Sequence, residues 1–310
     1  MKNVYLAIWY GCNQRCFGCP VSRNENRSQS LTVEDIRGRL EEQLRDEPFS
    51  VTISGGEPTL HPQFLEIMDL FKAARIPVCI LTNAERFGER AFCDAFLRHI
   101  ELSHTSIVTT IHASDPAIHE GQNGSVGSFA KSISGLQYLS FRGVQVTIKH
   151  CITAKNYADT ADFIRCIDES FHPSVAIQLW GLDYSGLPKE NAQELYIPFA
   201  EMRPKLEEAL DAYLEIRERN YRQLSMHNLP LCAVDPFYWG LMPDRKDLDF
   251  RYAAYYDPTT GTSEVQSDAG KQSAHCTHCD VQEYCGGAYL SLFEYFGDDA
   301  VTPIQAEILE

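Results

Sequence analysis

The chain lacks a long apolar run and an excess of positive charge, and no leader is expected. No stretch of its 310 residues approaches the ~20 consecutive apolar residues that a membrane-spanning helix needs. No membrane partner is therefore expected. Lys and Arg number 27 against 43 Asp and Glu, a formal charge of −16. A nucleic-acid backbone demands a basic face, so no nucleic acid is expected either. A basic peptide or a small cationic substrate stays open. Met1–Gly11 is too short for a signal peptide, and its apolar run leads straight into a cysteine loop. Eleven cysteines in a leaderless chain read as metal ligands rather than disulfides. The expectation is an oxygen-sensitive cytoplasmic protein of one large domain, or one and a half.

What is present is concentrated in Gly11-Cys12-Asn13-Gln14-Arg15-Cys16-Phe17-Gly18-Cys19-Pro20. The stretch follows Asn3–Tyr10, which reads as a buried strand. Cys12, Cys16 and Cys19 stand at Cys-x3-Cys-x2-Cys, and thiolate loops are how iron–sulfur clusters are held. A 4Fe–4S cubane on three thiolates keeps one iron open for another molecule. A zinc knuckle, or three incidental buried thiols, fits the spacing alone. Downstream, Val51–Ser54 reads as a second strand, running into Gly55-Gly56-Glu57-Pro58. Paired glycines let a ligand approach the backbone, and Glu57 can accept hydrogen bonds from an ammonium group.

Together the two stretches, with Phe17 just after the second cysteine, resemble the radical S-adenosylmethionine (SAM) superfamily. The resemblance implies that Cys12, Cys16 and Cys19 hold a 4Fe–4S cluster whose open iron is chelated by SAM. It implies that Phe17, Gly55, Gly56 and Glu57 belong to the cofactor site, with Glu57 on the SAM amino group. It further implies reductive cleavage of SAM to a 5′-deoxyadenosyl radical, which takes a hydrogen atom from substrate. A flavodoxin or ferredoxin would supply the electron. The cofactor carries that chemistry, and the protein supplies placement and exclusion of water.

The rest of the first two-thirds alternates. Thr32 reads as the N-cap of a helix. Helices are expected over Gln63–Ala74, Ala91–Ile100, Ser128–Phe141 and Tyr157–Glu169, and strands over Val78–Asn83, Thr105–Ile111, Val144–Cys151 and Val175–Trp180. Six strands, each but the last followed by a helix, imply parallel pairing. The fold expected is α/β: a partial (β/α)6 barrel over residues 1–187, a linking helical segment over 188–229, and a small α+β module over 230–310. Ligands of such folds bind at the carboxyl ends of strands. That rule picks out Asn83, Thr110, His112 and Lys149. Thr110-Ile111-His112-Ala113 resembles a superfamily strand end, which would turn Thr110 and His112 to SAM or substrate and Lys149 to the SAM carboxylate. His150 points to the opposite face from Lys149 and reads as structural.

From Pro188 the rhythm changes. Pro204–Arg219 reads as a long amphipathic helix. Beyond it, Cys276, Cys279 and Cys285 follow Cys-x2-Cys-x5-Cys, with Cys232 upstream and a hairpin of Tyr252–Tyr256 and Ser263–Gln266 between. A zinc ribbon fits these spacings too. They resemble the SPASM and Twitch modules of radical SAM enzymes. With no cysteine after Cys285, the resemblance is to the shorter Twitch type and implies one auxiliary 4Fe–4S cluster. Cys79, Cys93, Cys151 and Cys166 are left to packing.

Such relatives modify ribosomally made peptides, by cross-linking, epimerisation or oxidation, or else act on small molecules. With a strand beginning near Met1, no fused leader-binding domain is expected, which weakens the peptide reading without removing it, because a separate leader-peptide-binding protein can serve as partner. The small-molecule alternative is a dehydrogenase, epimerase or cyclase acting on an aminocyclitol or sugar. The cyclase of molybdenum-cofactor synthesis has a terminal Gly-Gly, whereas this chain has Ile308-Leu309-Glu310. A different-class alternative is a non-catalytic metal-binding module. Peptide modification is the reading preferred.

Overall fold

The computed structural model describes residues 2–21, 29–43, 49–247, 254–257, 261–263 and 268–305. Its strands are β1 (Lys2–Trp9), β2 (Phe49–Gly55), β3 (Val78–Thr82), β4 (Thr105–Thr110), β5 (Gln145–Cys151), β6 (Ala176–Trp180), β7 (Leu224–His227), β8 (Ala254–Asp257) and β9 (Gly261–Ser263). Its helices are α1 (Val33–Gln43), α2 (Phe64–Ala74), α3 (Arg90–Arg98), α4 (Pro116–Asn123), α5 (Ser128–Phe141), α6 (Thr160–Ser170), α7 (Leu187–Glu190), α8 (Ala192–Leu195), α9 (Phe199–Arg219) and α10 (Leu290–Phe296).

All nine strands form one sheet in the order β7-β6-β5-β4-β3-β2-β1-β8-β9. Every pairing is parallel except β8 with β9. Along β3 to β6, buried and half-buried residues alternate. One face carries Ile80, Ile107, Ile148 and Ile177 into a core shared with Phe64, Ile67 and Phe71 of α2, Leu136 and Leu139 of α5, and Phe163 and Ile167 of α6. The other face is left half-open and polar, which is where a ligand can sit. Thr32 caps α1 as expected: its hydroxyl accepts from Asp35 N at 3.1 Å, and the Asp35 carboxylate accepts from Thr32 N at 2.8 Å.

The sheet exceeds the six expected strands. β7 adds a seventh parallel strand, pairing Ile177 with Leu224 through Trp180 with His227. The hairpin exists as β8 and β9, and β8 continues the sheet by pairing with β1 over Val4–Leu6. The expected hairpin residues Tyr252, Ala253 and 264–266 lie outside the described residues. Helix α9 begins at Phe199, not Pro204: Pro198 caps it and Pro204 stands inside it. A proline in the second turn forfeits one hydrogen bond, and the buried side chains Met202, Leu206, Leu210 and Tyr213 offset it. Helix α4 was not expected, although its ends are well marked. Asp115 accepts from Ala117 N at 2.7 Å, Pro116 opens the first turn, and Gly124 closes it at φ 68°.

Candidate active site

The cysteine loop leaves β1 and is held from four sides. Beneath it lies the exit of β2. Gly56 N donates to Trp9 O at 2.7 Å and Glu57 N to Gly11 O at 2.8 Å. A Cβ on Gly55 would stand 2.1 Å from Trp9 O, and one on Gly56 2.4 Å from Gly11 O; Gly55 also sits at φ +130°. The close approach these glycines permit is therefore between two stretches of the chain's own backbone. On a second side, the last carbonyls of α4 accept from the loop: Arg15 N to Asn123 O and Phe17 N to Gln122 O, both at 2.8 Å.

On a third side, Asn191 donates to Phe17 O at 2.8 Å. The half-buried Phe17 ring packs with a small cluster of Tyr184, Leu195 and Leu292, the last from α10. On the fourth side, the exit of β3 supplies Asn83 and Glu85. Asn83 Nδ2 donates to Asn13 Oδ1 at 2.9 Å and stands 3.9 Å from Cys12 Sγ. The Glu85 carboxylate reaches Asn13 and Gln14. Helix α4, Asn13, Gln14 and Glu85 were all missed by the sequence reading. The one local hint for Glu85 was its place just past a strand's carboxyl end.

The thiols fit a cluster. Three soft donors share one short loop, and Gln14 N points at Cys12 Sγ from 3.4 Å, the second-shell bonding that thiolate ligands use. Without metal, burial and then the neighbouring acidic groups outweigh that bond and push the Cys12 thiol up to about 11. Burial, with Cys19 and Cys12 beside it, pushes Cys16 up further. A bound cation would reverse this, because coordination deprotonates a thiol. Among the described residues no three His, Cys, Asp or Glu side chains close on a point where one ion would sit. A cluster does not require that, since its ligands stand around a cube.

The Glu57 side chain is buried, at 1% exposure. Oε1 accepts from Thr59 N at 3.0 Å, Thr59 Oγ1 at 2.5 Å and Thr82 Oγ1 at 2.7 Å, and Oε2 from Asn83 N at 2.7 Å. These bonds tie the exits of β2 and β3 together. Burial pushes its carboxyl up, against the pull of those four bonds. The carboxylate is thus turned into the protein, toward Thr59, Thr82 and Asn83.

The remaining strand-end residues lie as expected along the sheet. Thr110 and Lys149 are register partners on β4 and β5, both half-buried on the open face. The Lys149 ammonium stands 3.9 Å over the Trp180 ring, which stacks on His227 at 4.8 Å. Trp180 and His227 were also missed. His227 is held neutral by burial and then by Lys149, down to about 4. His150 is fully buried on the opposite face, stacked on Phe163. His112 is half-buried; its main chain is tied to His119 and Asn156.

The second cysteine set meets in space. Cys232, Cys276, Cys279 and Cys285 line one small cavity with Leu231 and Val301. Backbone N–H groups aim at its sulfurs: Leu231 N and Gly287 N at Cys285 Sγ from 3.3 and 3.4 Å, and Ile304 N at Cys279 Sγ from 3.4 Å. Burial, with the three neighbouring thiols, pushes Cys232 up to about 12. Of the leftover cysteines only Cys93 is fully buried; Cys79, Cys151 and Cys166 are half-buried. No described helix is long and apolar enough to cross a membrane.

Comparison with known proteins agrees with this geometry. The chain is 27% identical over 159 residues to the mycofactocin maturase MftC of Mycobacterium tuberculosis, covering 50% of this chain and 39% of that one. It thus spans about two-fifths of the length of that relative. It is 26% identical over 250 residues to a probable GTP 3′,8-cyclase of Sulfolobus acidocaldarius, 76% of each chain. It is 20% identical over 302 residues to AlbA, a subtilosin biosynthesis protein of Bacillus subtilis, 91% of this chain and 66% of that one. Streptococcus suis SuiB bound to its precursor peptide SuiA shares the fold, with a TM-score of 0.67 and 14% identity over 94% of this chain and 72% of that one. Residues 6–167, more than half the sequence, match the radical SAM superfamily, and with the cysteine loop at the exit of β1 the chain belongs to that superfamily.

Proposed function

We propose that this chain is a SAM-cleaving enzyme that modifies a ribosomally made peptide, by cross-linking, epimerisation or oxidation. Cys12, Cys16 and Cys19 would hold a 4Fe–4S cluster. When bound, cluster and SAM together supply a 5′-deoxyadenosyl radical that abstracts a hydrogen atom from substrate. The chain's own part is placement: Gly55, Gly56, Glu57 and Asn83 hold the loop, Phe17 closes it against α8 and α10, and Thr110, His112 and Lys149 bound the ligand space. The observation that carries the peptide reading is the alignment with AlbA, which runs through 91% of this chain. An electron donor such as a flavodoxin or ferredoxin, and a separate leader-peptide-binding protein, complete the proposal.

Cys232, Cys276, Cys279 and Cys285 would hold an auxiliary 4Fe–4S cluster of the Twitch or SPASM kind. Four thiols around one cavity, with amides aimed at the sulfurs, support it. The working division remains a barrel over 1–187, a link over 188–229 and a cluster module over 230–310. A second reading, oxidation or cyclisation of a small molecule, is favoured by the cyclase alignment, which covers 76% of both chains. The test is anaerobic incubation of iron-loaded, reduced protein with SAM and either a precursor peptide or nucleotides and aminocyclitols. A mass change in the peptide with 5′-deoxyadenosine released supports the first reading. Turnover of the small molecules alone supports the second. No 5′-deoxyadenosine under any condition would leave only a non-catalytic metal-binding module.

A further inference from the structure

A second heavily engaged carboxylate near the cysteine loop belongs to Glu85, which no part of the proposed chemistry uses. Its side chain is 10% exposed. It lies just past β3, in a turn opened by Ala84 at φ 60°. Oε2 accepts from Asn13 Nδ2 at 2.8 Å, Ser125 Oγ at 3.0 Å and Gln14 Nε2 at 3.4 Å. Oε1 accepts from Lys131 Nζ at 2.9 Å. Lys131 itself is half in water, so the ion pair adds little. The amide and hydroxyl donors matter more: Gln14 is buried and would be left unpaired without the carboxylate, while the half-buried Ser125 and the exposed Asn13 would lose a fixed partner.

These donors are not scattered. Asn13 and Gln14 occupy the interval between Cys12 and Cys16. Asn13 is gripped at both ends of its amide: its nitrogen by Glu85 and its oxygen by Asn83, whose own Oδ1 accepts from Glu85 N at 3.0 Å. Gln14 is buried, and its Oε1 stands 3.6 Å from Cys16 Sγ. The Glu85 carboxylate thus connects to Cys16 through the Gln14 side chain, and to Cys12 through Gln14, whose backbone N–H points at Cys12 Sγ, and through Asn13 and Asn83. Burial alone would raise its carboxyl; Lys131, Ser125 and Gln14 outweigh that and hold it below the usual range. An anion is what four converging donors require.

We propose that Glu85 is a positioning residue for the cysteine loop: as a carboxylate it fixes Asn13 and Gln14, and through them the presentation of Cys12 and Cys16 to the cluster. The inference rests on the cluster reading above. The contacts from β2 and α4 are backbone bonds that fix the loop's path, and Asn83 grips the side chain of Asn13. Glu85 adds a second side-chain constraint, on both Asn13 and Gln14, from 72 and 71 residues away.

The test uses the full chain after anaerobic iron loading, with Glu85→Gln, Glu85→Ala, Asn13→Ala and the Asn13→Ala/Glu85→Ala double variant. Two quantities are read: the rate at which iron passes to a competing chelator, and the EPR line shape of the reduced cluster. Glu85→Ala is expected to release iron at least ~10-fold faster than wild type and to alter the line shape. Glu85→Gln should lie between, since one oxygen cannot serve both sides. The double variant should be no faster than the worse single variant, because both act through one link. Iron release within twofold of wild type with an unchanged line shape, or additive effects in the double variant, would overturn the proposal. If Glu85→Ala does not fold, Glu85→Gln and Asn13→Ala decide the matter by the same readouts. Wild-type protein that binds no iron in the same preparation would instead refute the cluster reading and this inference with it.

Discussion

Replacing Glu57 by Gln separates two roles that the sequence alone cannot. A Gln side chain keeps one acceptor oxygen. If that oxygen stays with Thr59 and Thr82, the Asn83 N–H, now 2.7 Å from Oε2, faces an amide NH2 in a buried site. One unpaired buried donor costs about 1–3 kcal/mol, and the bonds that remain lose their charge assistance. The expected loss of stability is about 2–4 kcal/mol, on the order of 4–8 °C in melting temperature for a chain of this size. Glu57→Ala removes all four acceptor contacts and opens a cavity, so it should cost more. SAM affinity in Glu57→Gln that still carries iron should change by less than about threefold, ~0.6 kcal/mol. Had the carboxylate gripped the SAM ammonium, affinity would fall by about 10- to 150-fold with stability unmoved. Thermal melts of the metal-free protein and SAM titrations of the loaded protein read both quantities. Unchanged melting with a tenfold or greater loss of affinity would refute the inward placement of Glu57.

Other outcomes follow from the same contacts. Replacing Cys12, Cys16 or Cys19 by Ala should abolish 5′-deoxyadenosine formation, measured anaerobically with reductant; retained formation would refute the cluster assignment. The Cys12/Cys16/Cys19→Ala variant should keep about four irons, and adding Cys232→Ala should lower that content; zinc in place of iron would overturn the auxiliary cluster. His150 is fully buried and its pKa falls from 6.5 to about 4. The unfolded chain therefore takes up this proton first, so stability present above pH 6.5 is lost as pH falls toward 4, by about 3 kcal/mol. Unfolding free energies across that range should show a flatter profile in His150→Leu. A Cβ on Gly135, inside α5, would stand 2.5 Å from the Phe87 backbone. Gly135→Ala should then destabilise by about 1–3 kcal/mol despite better helix propensity. Gly121→Ala in α4, where nothing lies within 4 Å, should stabilise by up to about 1 kcal/mol. Chemical denaturation checks both.

Local composition located β1 to β6 because each is a run of five or more residues rich in β-branched and other apolar side chains. It missed β7, whose four residues Leu-Ser-Met-His are too few to show a period. It missed α4 for a different reason: only His119, Gln122 and Asn123 of that helix are buried, so no apolar stripe exists, although Asp115, Pro116 and Gly124 mark both ends. The cysteine spacings were legible because ligands on one loop must be close in sequence. The direction of the Glu57 side chain was not legible because a motif gives a residue's position and not its rotamer; Thr59 and Thr82 decide which way the carboxylate turns. Glu85 had only its place past a strand's carboxyl end to mark it, since its partners come from the loop after β1, the α4–α5 turn and α5.

The pairing of β1 with both β2 and β8 also constrains how the chain is made. During synthesis β2 emerges soon after β1. The other neighbour, β8, follows β2 by roughly 200 residues, on the order of 10–40 s at 5–20 residues per second. For that interval the strand leading into the cysteine loop keeps one edge of bare N–H and C=O groups, a template for any other extended chain. Chains truncated before Ala254 should therefore be the insoluble ones.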